Sequence, residues 1–435
     1  MAEKVLVLHP VFPNREKPGD IISEPSSPEK KERRDPEYLL EEAVGLARAI
    51  RLNVVAAKII RVRKINPARL IGKGIIEEIS TQIENSEIDL VVVDYALSPI
   101  QQRNLEKEWQ VKVIDRTGLI LEIFGDRART KEGKLQVELA ALSFQRSRLV
   151  RSWTHLERQR GGFGFTGGPG ETQIEIDRRL IDERISRLKI DLEHVRRTRK
   201  IQRRSRERVP YPVVALVGYT NAGKSTLFNH LTGADVLVKD MLFATLDPTM
   251  RSIKLTSGRN VIFSDTVGFI SELPTHLITA FRATLEEVQQ AHVILHVRDI
   301  TQPDTDAEKD DVVHILKELG IDCDNDPRVF EVLNKIDRLP SDEKKYIQNK
   351  ADRNARVCLT SALTGEGCDE LLRIVDDHIN QNQEIINVDI DIMDGKTISW
   401  LYENGNVLDR EDDEEYAHMT VGLDPEDLAR FEYKR

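Results

Sequence analysis

Cysteine is scarce in this 435-residue chain. There are three, Cys323, Cys358 and Cys368, an odd number without metal-ligand spacing. A disulfide framework and a cysteine-built zinc site are excluded, and reduced thiols in a cytosolic protein are expected. Long apolar runs are also missing. None approaches the roughly 20 residues that a membrane-spanning helix needs. The start, Met1-Ala2-Glu3-Lys4-Val5, lacks the pattern of a signal peptide. A cytoplasmic protein without a membrane span is the expectation.

Length and charge add to this. At 435 residues the chain is too long for one domain, and three or four are expected; 40% hydrophobic residues can build real cores. The net charge of −10 is unevenly spread. Arg146 to Arg208 holds 18 Lys and Arg against 9 Asp and Glu, a net of +9. The remainder holds 46 against 65, a net of −19. One strongly basic segment in an acidic chain points to a directed contact with a polyanion.

The most informative run is Gly218-Tyr219-Thr220-Asn221-Ala222-Gly223-Lys224-Ser225, between the strand-like Val213 to Val217 and the helix-like Thr226 to Leu231. Glycines there let backbone N–H groups turn inward around a β-phosphate. Lys224 reaches the β- and γ-phosphates as a point charge, and the Ser225 hydroxyl can ligate Mg²⁺. Three further motifs follow in order. Asp265-Thr266-Val267-Gly268 ends the apolar run Val261 to Phe263. Its carboxylate can hold Mg²⁺ through water, and the Gly268 N–H can meet a γ-phosphate oxygen. Asn334-Lys335-Ile336-Asp337 ends Val329 to Leu333. Asp337 can accept two hydrogen bonds from guanine N1–H and N2–H₂, which adenine cannot offer. Ser361-Ala362-Leu363 follows Val357 to Leu359, and its backbone can meet the guanine O6. The four together specify GTP or GDP, with Mg²⁺.

Between the first two motifs lies Phe243-Ala244-Thr245-Leu246-Asp247-Pro248. A threonine there can ligate Mg²⁺ directly while the γ-phosphate is present and release it afterwards. Thr245 fits better than Thr249, which follows Pro248 and sits nearer the strand-like Ile253 to Leu255. Lys224, Thr245 and Gly268 are thus the candidate catalytic groups. After Gly268, where many GTPases carry a water-orienting glutamine, stands Phe269. It has no donor or acceptor, so free hydrolysis should be slow; a partner, a potassium ion or another side chain must position the water, which points to a switch timed by a partner.

Upstream, Lys4 to Asp115 alternates strand and helix. Strands at Val5 to Leu8, Val54 to Ile60, Leu90 to Asp94 and Val111 to Ile114 are interleaved with helices at Pro36 to Ile50, Ile75 to Ile83 and Ile100 to Glu108. This predicts a small, mostly parallel sheet. Pro13 to Asp35 is a proline- and charge-rich insert expected to be disordered. Next come two heptad seams. Leu135, Leu139, Leu142, Arg146, Leu149, Trp153 and Leu156 form one; Ile174, Ile181, Ile185, Leu188, Leu192 and Val195 form the other. They predict an antiparallel helical hairpin, loosened where Arg146 interrupts the seam. Its tip is glycine-rich, with Gly161, Gly162, Phe163, Phe165, Gly168, Pro169 and Gly170 flanked by Arg158 and Arg160. Glycines allow close backbone approach, and the phenylalanines can stack on unpaired bases.

The fold expected is α/β: a P-loop GTPase domain at 209–380, an N-terminal parallel α/β domain at 1–125, a hairpin at 126–208 with its tip at 160–171, and a small acidic α+β appendage at 381–435. In that tail Val388 to Met393, Ile398 to Glu403 and Tyr416 to Val421 read as strands, and Asp424 to Phe431 as a helix.

These motifs, with Arg160-Gly161-Gly162, Gly168-Pro169-Gly170-Glu171-Thr172-Gln173, Asp115 to Leu121 and Gly133 to Ala140, resemble the HflX family of bacterial GTPases. The resemblance covers about Val5 to Asn380 and is weaker in the tail and the insert. It implies a GTPase that binds the large ribosomal subunit and separates the subunits of stalled or stressed ribosomes. It also implies an rRNA-contacting tip at Arg160 to Glu171 that reaches toward the peptidyl-transferase centre. Carried over, Lys224, Ser225, Thr245 and Asp265 hold phosphate and Mg²⁺, while Asn334, Asp337 and Ser361 to Leu363 hold guanine. A monomer acting on rRNA, not DNA, is expected. An ATP-dependent activity has been suggested for the N-terminal domain of relatives, but no second complete phosphate loop is present. A ribosome-assembly GTPase, or a signalling switch with a protein partner, would carry the same nucleotide motifs.

Overall fold

Val5 to Leu8 and Leu90 to Val93 are unbroken apolar runs, as strands covered on both faces require. In the computed structural model these residues are at most 3% exposed. The structure describes residues 3–12, 34–159, 169–206, 211–233, 242–243, 249–271, 287–381, 383–423 and 425–434. The chain divides into two compact units.

The first unit comprises Met1–Val195, Lys239–Asp247 and Ile270–Arg282. Its sheet has the order β2-β1-β3-β4, from β1 (Lys4–Val11), β2 (Asn53–Arg61), β3 (Leu90–Val93) and β4 (Lys112–Asp115), all parallel. Helices α1 (Pro36–Ala49), α2 (Lys73–Ser86) and α3 (Pro99–Trp109) alternate with the strands. Ser98 and Gln101 close a reciprocal cap at the start of α3, satisfying two donors that a helix start leaves open. Asp35, expected within the insert, instead caps α1 by accepting from the Glu37 N–H. The insert up to Glu32 and Arg33 lies outside the described residues.

After β4, Asp115 caps α4 (Arg116–Arg127) by accepting from the Gly118 N–H at 2.8 Å. Two long helices follow, α5 (Lys131–Gln159) and α6 (Pro169–Arg206). On α6, Ile185, Leu188 and Leu192 of the seam are buried, and Ile181 and Val195 are half-buried. On α5 the buried positions include Val137 and Ala140, while Leu135, Leu139 and Leu142 are only half-buried. The reason is that α5 serves other neighbours as well. Arg148 donates to Leu97 O and to Asp115 Oδ2. Nor does Arg146 leave a gap in the hairpin. Its Nε pairs with Asp182 Oδ1 at 2.6 Å, and Arg184 pairs with Glu138 at 2.7 Å. Pro169 and Gly170, expected in the extended tip, form the first turn of α6, where proline's fixed φ suits a helix start.

The second unit comprises Arg196–Val238, Pro248–Phe269 and Ala283–Arg435. Its six-stranded sheet has the order β10-β9-β8-β5-β7-β6. The strands are β5 (Val213–Gly218), β6 (Thr249–Lys254), β7 (Asn260–Asp265), β8 (Val293–Asp299), β9 (Val329–Asn334) and β10 (Val357–Leu359). Only β6 runs antiparallel, against β7; the other pairings are parallel. Val214, Leu216, Phe228, Phe263, Leu295 and Val332 form its core, closed by Leu371 and Val375 of α10 (Cys368–Asn380).

The tail forms an antiparallel sheet, β11-β13-β12, from β11 (Glu384–Asp391), β12 (Asn406–Asp412) and β13 (Tyr416–Leu423). Ile398 to Glu403, expected as a strand, is helical within α11 (Gly395–Asn404). Asp394 caps it through the Thr397 N–H, and Ile398 and Leu401, one turn apart, are its buried residues. The last helix is α12 (Pro425–Lys434), whose Phe431 stacks on Trp400 at 6.0 Å.

Candidate nucleotide-binding site

Four parallel strands of this sheet, β5 and β7 on one side of β8 and β9 and β10 on the other, deliver the four motifs at their carboxyl ends. That edge is where open α/β sheets receive ligands. After β5 the loop Gly218 to Gly223 leads into α7 (Lys224–Thr232). Gly223 has φ +93°, and a Cβ there would stand 2.3 Å from Asn334 Nδ2. Only glycine fits a left-handed residue packed against that amide. Asn221 also takes a left-handed conformation, and Tyr219 and Ala222 are buried.

Lys224 is buried, and its Nζ donates to Tyr219 O at 2.7 Å and Gly218 O at 3.1 Å. Burial lowers its amine pKa to about 8, against the pull of Asp265 and Glu308. Neighbouring Ser225 donates its hydroxyl to Asp265 Oδ2 at 2.7 Å. The oxygen lone pairs of that hydroxyl stay able to face a cation. A hydroxyl and a carboxylate are the hard oxygen donors Mg²⁺ selects, so this pair fits the ion. The Thr220 hydroxyl is buried without a hydrogen-bond partner, as suits a loop that closes around a polar ligand.

Beyond β7, Thr266 donates its hydroxyl to Leu216 O at 2.6 Å, and Val267 is buried. At Gly268 a Cβ would lie 3.0 Å from Thr220 Cα and 3.1 Å from Lys224 Nζ. Any side chain would crowd the phosphate loop. The Phe269 N–H donates to Gly218 O at 3.1 Å, and its carbonyl accepts from the Thr220 N–H at 2.7 Å. Its ring is 1% exposed. Phe269 therefore braces the loop through its backbone and offers no polar group to water.

At the base end, Asn334 Nδ2 donates to Ala222 O at 2.9 Å, and its Oδ1 accepts from the Ala362 N–H at 2.9 Å. One side chain thus ties the first, third and fourth motifs together. Asp337 Oδ1 accepts from the Ser361 hydroxyl at 2.6 Å. Ile336 is buried, whereas Leu363 is 76% exposed. Lys335, with φ +68°, pairs through Nζ with Asp299 Oδ2 at 2.7 Å. Asp299, buried at the end of β8 and hydrogen-bonded by Thr301, was not found from sequence. A lone aspartate ending a strand carries no signal of a lysine 36 positions later.

Of the intervening segment, Phe243 is buried and left-handed. Ala244, Thr245, Leu246 and Asp247 lie outside the described residues, as do Arg160, Gly161, Gly162, Phe163, Phe165 and Gly168 of the tip. Thr249 is the first residue of β6. Arg158 falls in the last turn of α5. Among the described residues no group of His, Cys, Asp and Glu builds another metal site. Cys358 and Cys368 are buried thiols, raised to about 12 and about 11 by desolvation.

A phosphate-loop sequence between strand and helix, a Ser–Asp oxygen pair that fits Mg²⁺ and two further motif loops tied to it through Asn334, all on one sheet edge, are the arrangement of a P-loop GTPase. Comparison with known proteins agrees along the chain. Residues 37–125 match the family model "GTP-binding GTPase N-terminal" and 127–206 "GTP-binding GTPase Middle Region". Residues 213–335 match "50S ribosome-binding GTPase" and 346–433 "HflX C-terminal domain". The GTPase HflX of Magnetococcus marinus is 49% identical over 91% of this chain and 90% of its own. That of Caldanaerobacter subterraneus is 44% identical over 89% and 87%, and that of Escherichia coli 47% over 72% and 73%. The chain belongs to the HflX family of GTPases and hydrolyses GTP. The family likeness extends through the tail, where the sequence motifs alone had placed its end near Asn380. No helix among the described residues is long and apolar enough to cross a membrane.

Proposed function

We propose that this GTPase binds the large ribosomal subunit through rRNA and uses GTP to separate the subunits of stalled or stressed ribosomes. The observation that carries the reading is one of arrangement. A guanine-nucleotide site shares the chain with two long helices that make up most of the segment Arg146 to Arg208, whose net charge is +9. A stiff, basic, two-helix stem suits phosphate contacts, and its glycine-rich end suits close approach to folded RNA. The match of residues 213–335 to a model described as a 50S ribosome-binding GTPase supports the same partner.

In this reading Lys224 meets the β- and γ-phosphates, and Gly218 to Gly223 wraps them with backbone N–H groups. Ser225 and Thr245 ligate Mg²⁺ directly and Asp265 through water. Held there, the ion would supply positive charge against the phosphate oxygens. The Gly268 N–H holds a γ-phosphate oxygen. Asp337, oriented by Ser361, accepts from guanine N1–H and N2–H₂, and Asn334 fixes the surrounding loops. Phe269 offers no group to orient the attacking water, so the ribosome completes the site. Arg158 and Arg160 to Gly170 meet rRNA. The protein acts as a monomer in the cytoplasm.

Co-sedimentation with purified subunits tests the partner. Pelleting with the large subunit, strongest with a non-hydrolysable GTP analogue and weakened by salt, is expected. Pelleting with neither subunit under any nucleotide condition would overturn the reading.

A further inference from the structure

Strand β8 is the parallel strand of the second unit's sheet that delivers none of the four motifs. It nevertheless lies where the connections diverge. In the order β10-β9-β8-β5-β7-β6 the chain runs from β5 to one side of the sheet, then returns to β8 on the other. Open α/β sheets commonly take their ligand in the crevice at the carboxyl ends of two such strands. The register brings the ends close: Val297 pairs with Gly218, and Asp299 with Asn334. A Cβ on Gly218 would stand 2.1 Å from Val297 O, so the phosphate loop leaves β5 directly against β8.

Asp299 ends β8, and its side chain is 3% exposed. Both carboxylate oxygens are engaged. Oδ1 accepts from the Thr301 N–H at 3.0 Å and from the Thr301 hydroxyl at 2.6 Å. Oδ2 accepts from Gln302 Nε2 at 3.2 Å and from Lys335 Nζ at 2.7 Å. Burial pushes the carboxyl pKa up, but the Lys335 and Thr301 donors outweigh it and hold the group below its usual range. A charge this deep needs such partners. Lys335 is the other half of the pair. It directly follows Asn334, which is tied to Ala222 of the phosphate loop. The Lys335 side chain is only 16% exposed, because its ammonium turns to β8 and not to solvent. Its stem runs beside the phosphate loop, with Cε 3.9 Å from where a Cβ on Gly223 would stand. A lysine stem is apolar surface with the charge confined to its end.

We propose that Asp299 is a positioning residue for the guanine nucleotide: by holding the Lys335 ammonium, it lays the lysine stem beside the phosphate loop as an apolar wall for the nucleoside. Asp337, assigned to the base, stands two residues further on, so the stem lies in sequence between the groups for phosphate and for guanine. A lysine left unheld would have to be ordered at each binding event, at a cost in affinity. The wall faces the nucleoside, which GDP and GTP share. Asp299 therefore governs how long either nucleotide stays, more than how fast GTP is cleaved. The proposal rests on the assignment of Asn334 to Asp337 to the base end of the site.

The test is the release of radiolabelled GDP, and of a non-hydrolysable GTP analogue, from the full chain after a chase. Asp299→Asn keeps an oxygen for Thr301 but loses the charge that holds Lys335. It is expected to speed release of both nucleotides by about tenfold, as loss of a charge-assisted hydrogen bond implies. KM for GTP should rise by a similar factor, while the single-turnover rate at saturating GTP moves by less than about twofold. In a Lys335→Met background, where the stem remains without its ammonium, Asp299→Asn should add nothing. Thr301→Ala removes one donor to the carboxylate and keeps the idea testable if Asp299→Asn unfolds. It should speed release by about threefold with Lys335 present and not in Lys335→Met. Unchanged or slower release in folded variants overturns the proposal. So does an equal effect with and without the Lys335 ammonium, which marks a merely structural aspartate. Asp337→Asn separates the two claims. Unchanged GDP release there defeats the site assignment itself, whereas faster release there beside an unaltered Asp299→Asn defeats only Asp299.

Discussion

The Ser361 hydroxyl donates to Asp337 Oδ1 at 2.6 Å, so the fourth motif orients the carboxylate of the third. Asp337→Asn replaces one acceptor with a donor that faces guanine's own donors. The expected loss of GDP affinity is on the order of 2–4 kcal/mol, with affinity for xanthosine diphosphate rising. Equilibrium titration of both nucleotides checks it, and an unchanged preference for GDP would remove Asp337 from the base site.

Lys224 gives a pH dependence. Its charged form meets phosphate, and burial lowers its amine to about 8. The charge is present below that value and is lost as pH rises through it. GTP affinity should therefore fall between pH 7 and 9, approaching ~10-fold per unit at the upper end. Lys224→Ala should bind more weakly throughout and lose this slope. A wild-type affinity flat across the range would contradict the assignment.

Ser225→Ala removes both the hydroxyl donated to Asp265 and a direct ligand for Mg²⁺. Hydrolysis should drop by tenfold or more, on the order of the ~1.4 kcal/mol or more that one such ligand contributes. Titration with Mg²⁺ should show a higher requirement than wild type. Ribosome-stimulated phosphate release that survives this change would rule the loop out as the catalytic site.

Phe269 sets an expectation for rate control. Its ring is buried and its backbone is spent on Gly218 and Thr220. Phosphate release measured with and without large subunits should differ by orders of magnitude. Equal rates would mean that water is positioned within the chain alone.

That the four motifs come together at one sheet edge was legible because their signals are local. Gly223, Gly268 and Lys224 sit at fixed spacings from the ends of apolar strands, and those spacings survive in one dimension. What pairs at long range was not legible. Asp299 meets Lys335, and Arg116 meets Glu42, Asp94 and Ser271, across stretches of chain that no pattern links. The α5 face was misplaced because a heptad assumes one partner, whereas Arg148 on that helix also serves Leu97 and Asp115. In the tail, Ile398, Trp400 and Tyr402 alternate like a strand. The Asp394 cap and the burial of Leu401 show that helical spacing wins.

The central claim is that the hairpin tip is the part that separates subunits. Deleting Gly161 to Gly170 leaves Gly218 to Ser225, Asp265 to Gly268, Asn334 to Asp337 and Ser361 to Leu363 untouched, so GTP binding should persist. Residual affinity for the large subunit, supplied by Arg196 to Arg208, should fall steeply with salt as counterion release requires. Sucrose-gradient profiles of 70S ribosomes treated with GTP and either protein give the decisive measurement. The account predicts free subunits with the full chain and intact ribosomes with the deletion. Splitting by the deletion at the full-length rate would contradict it.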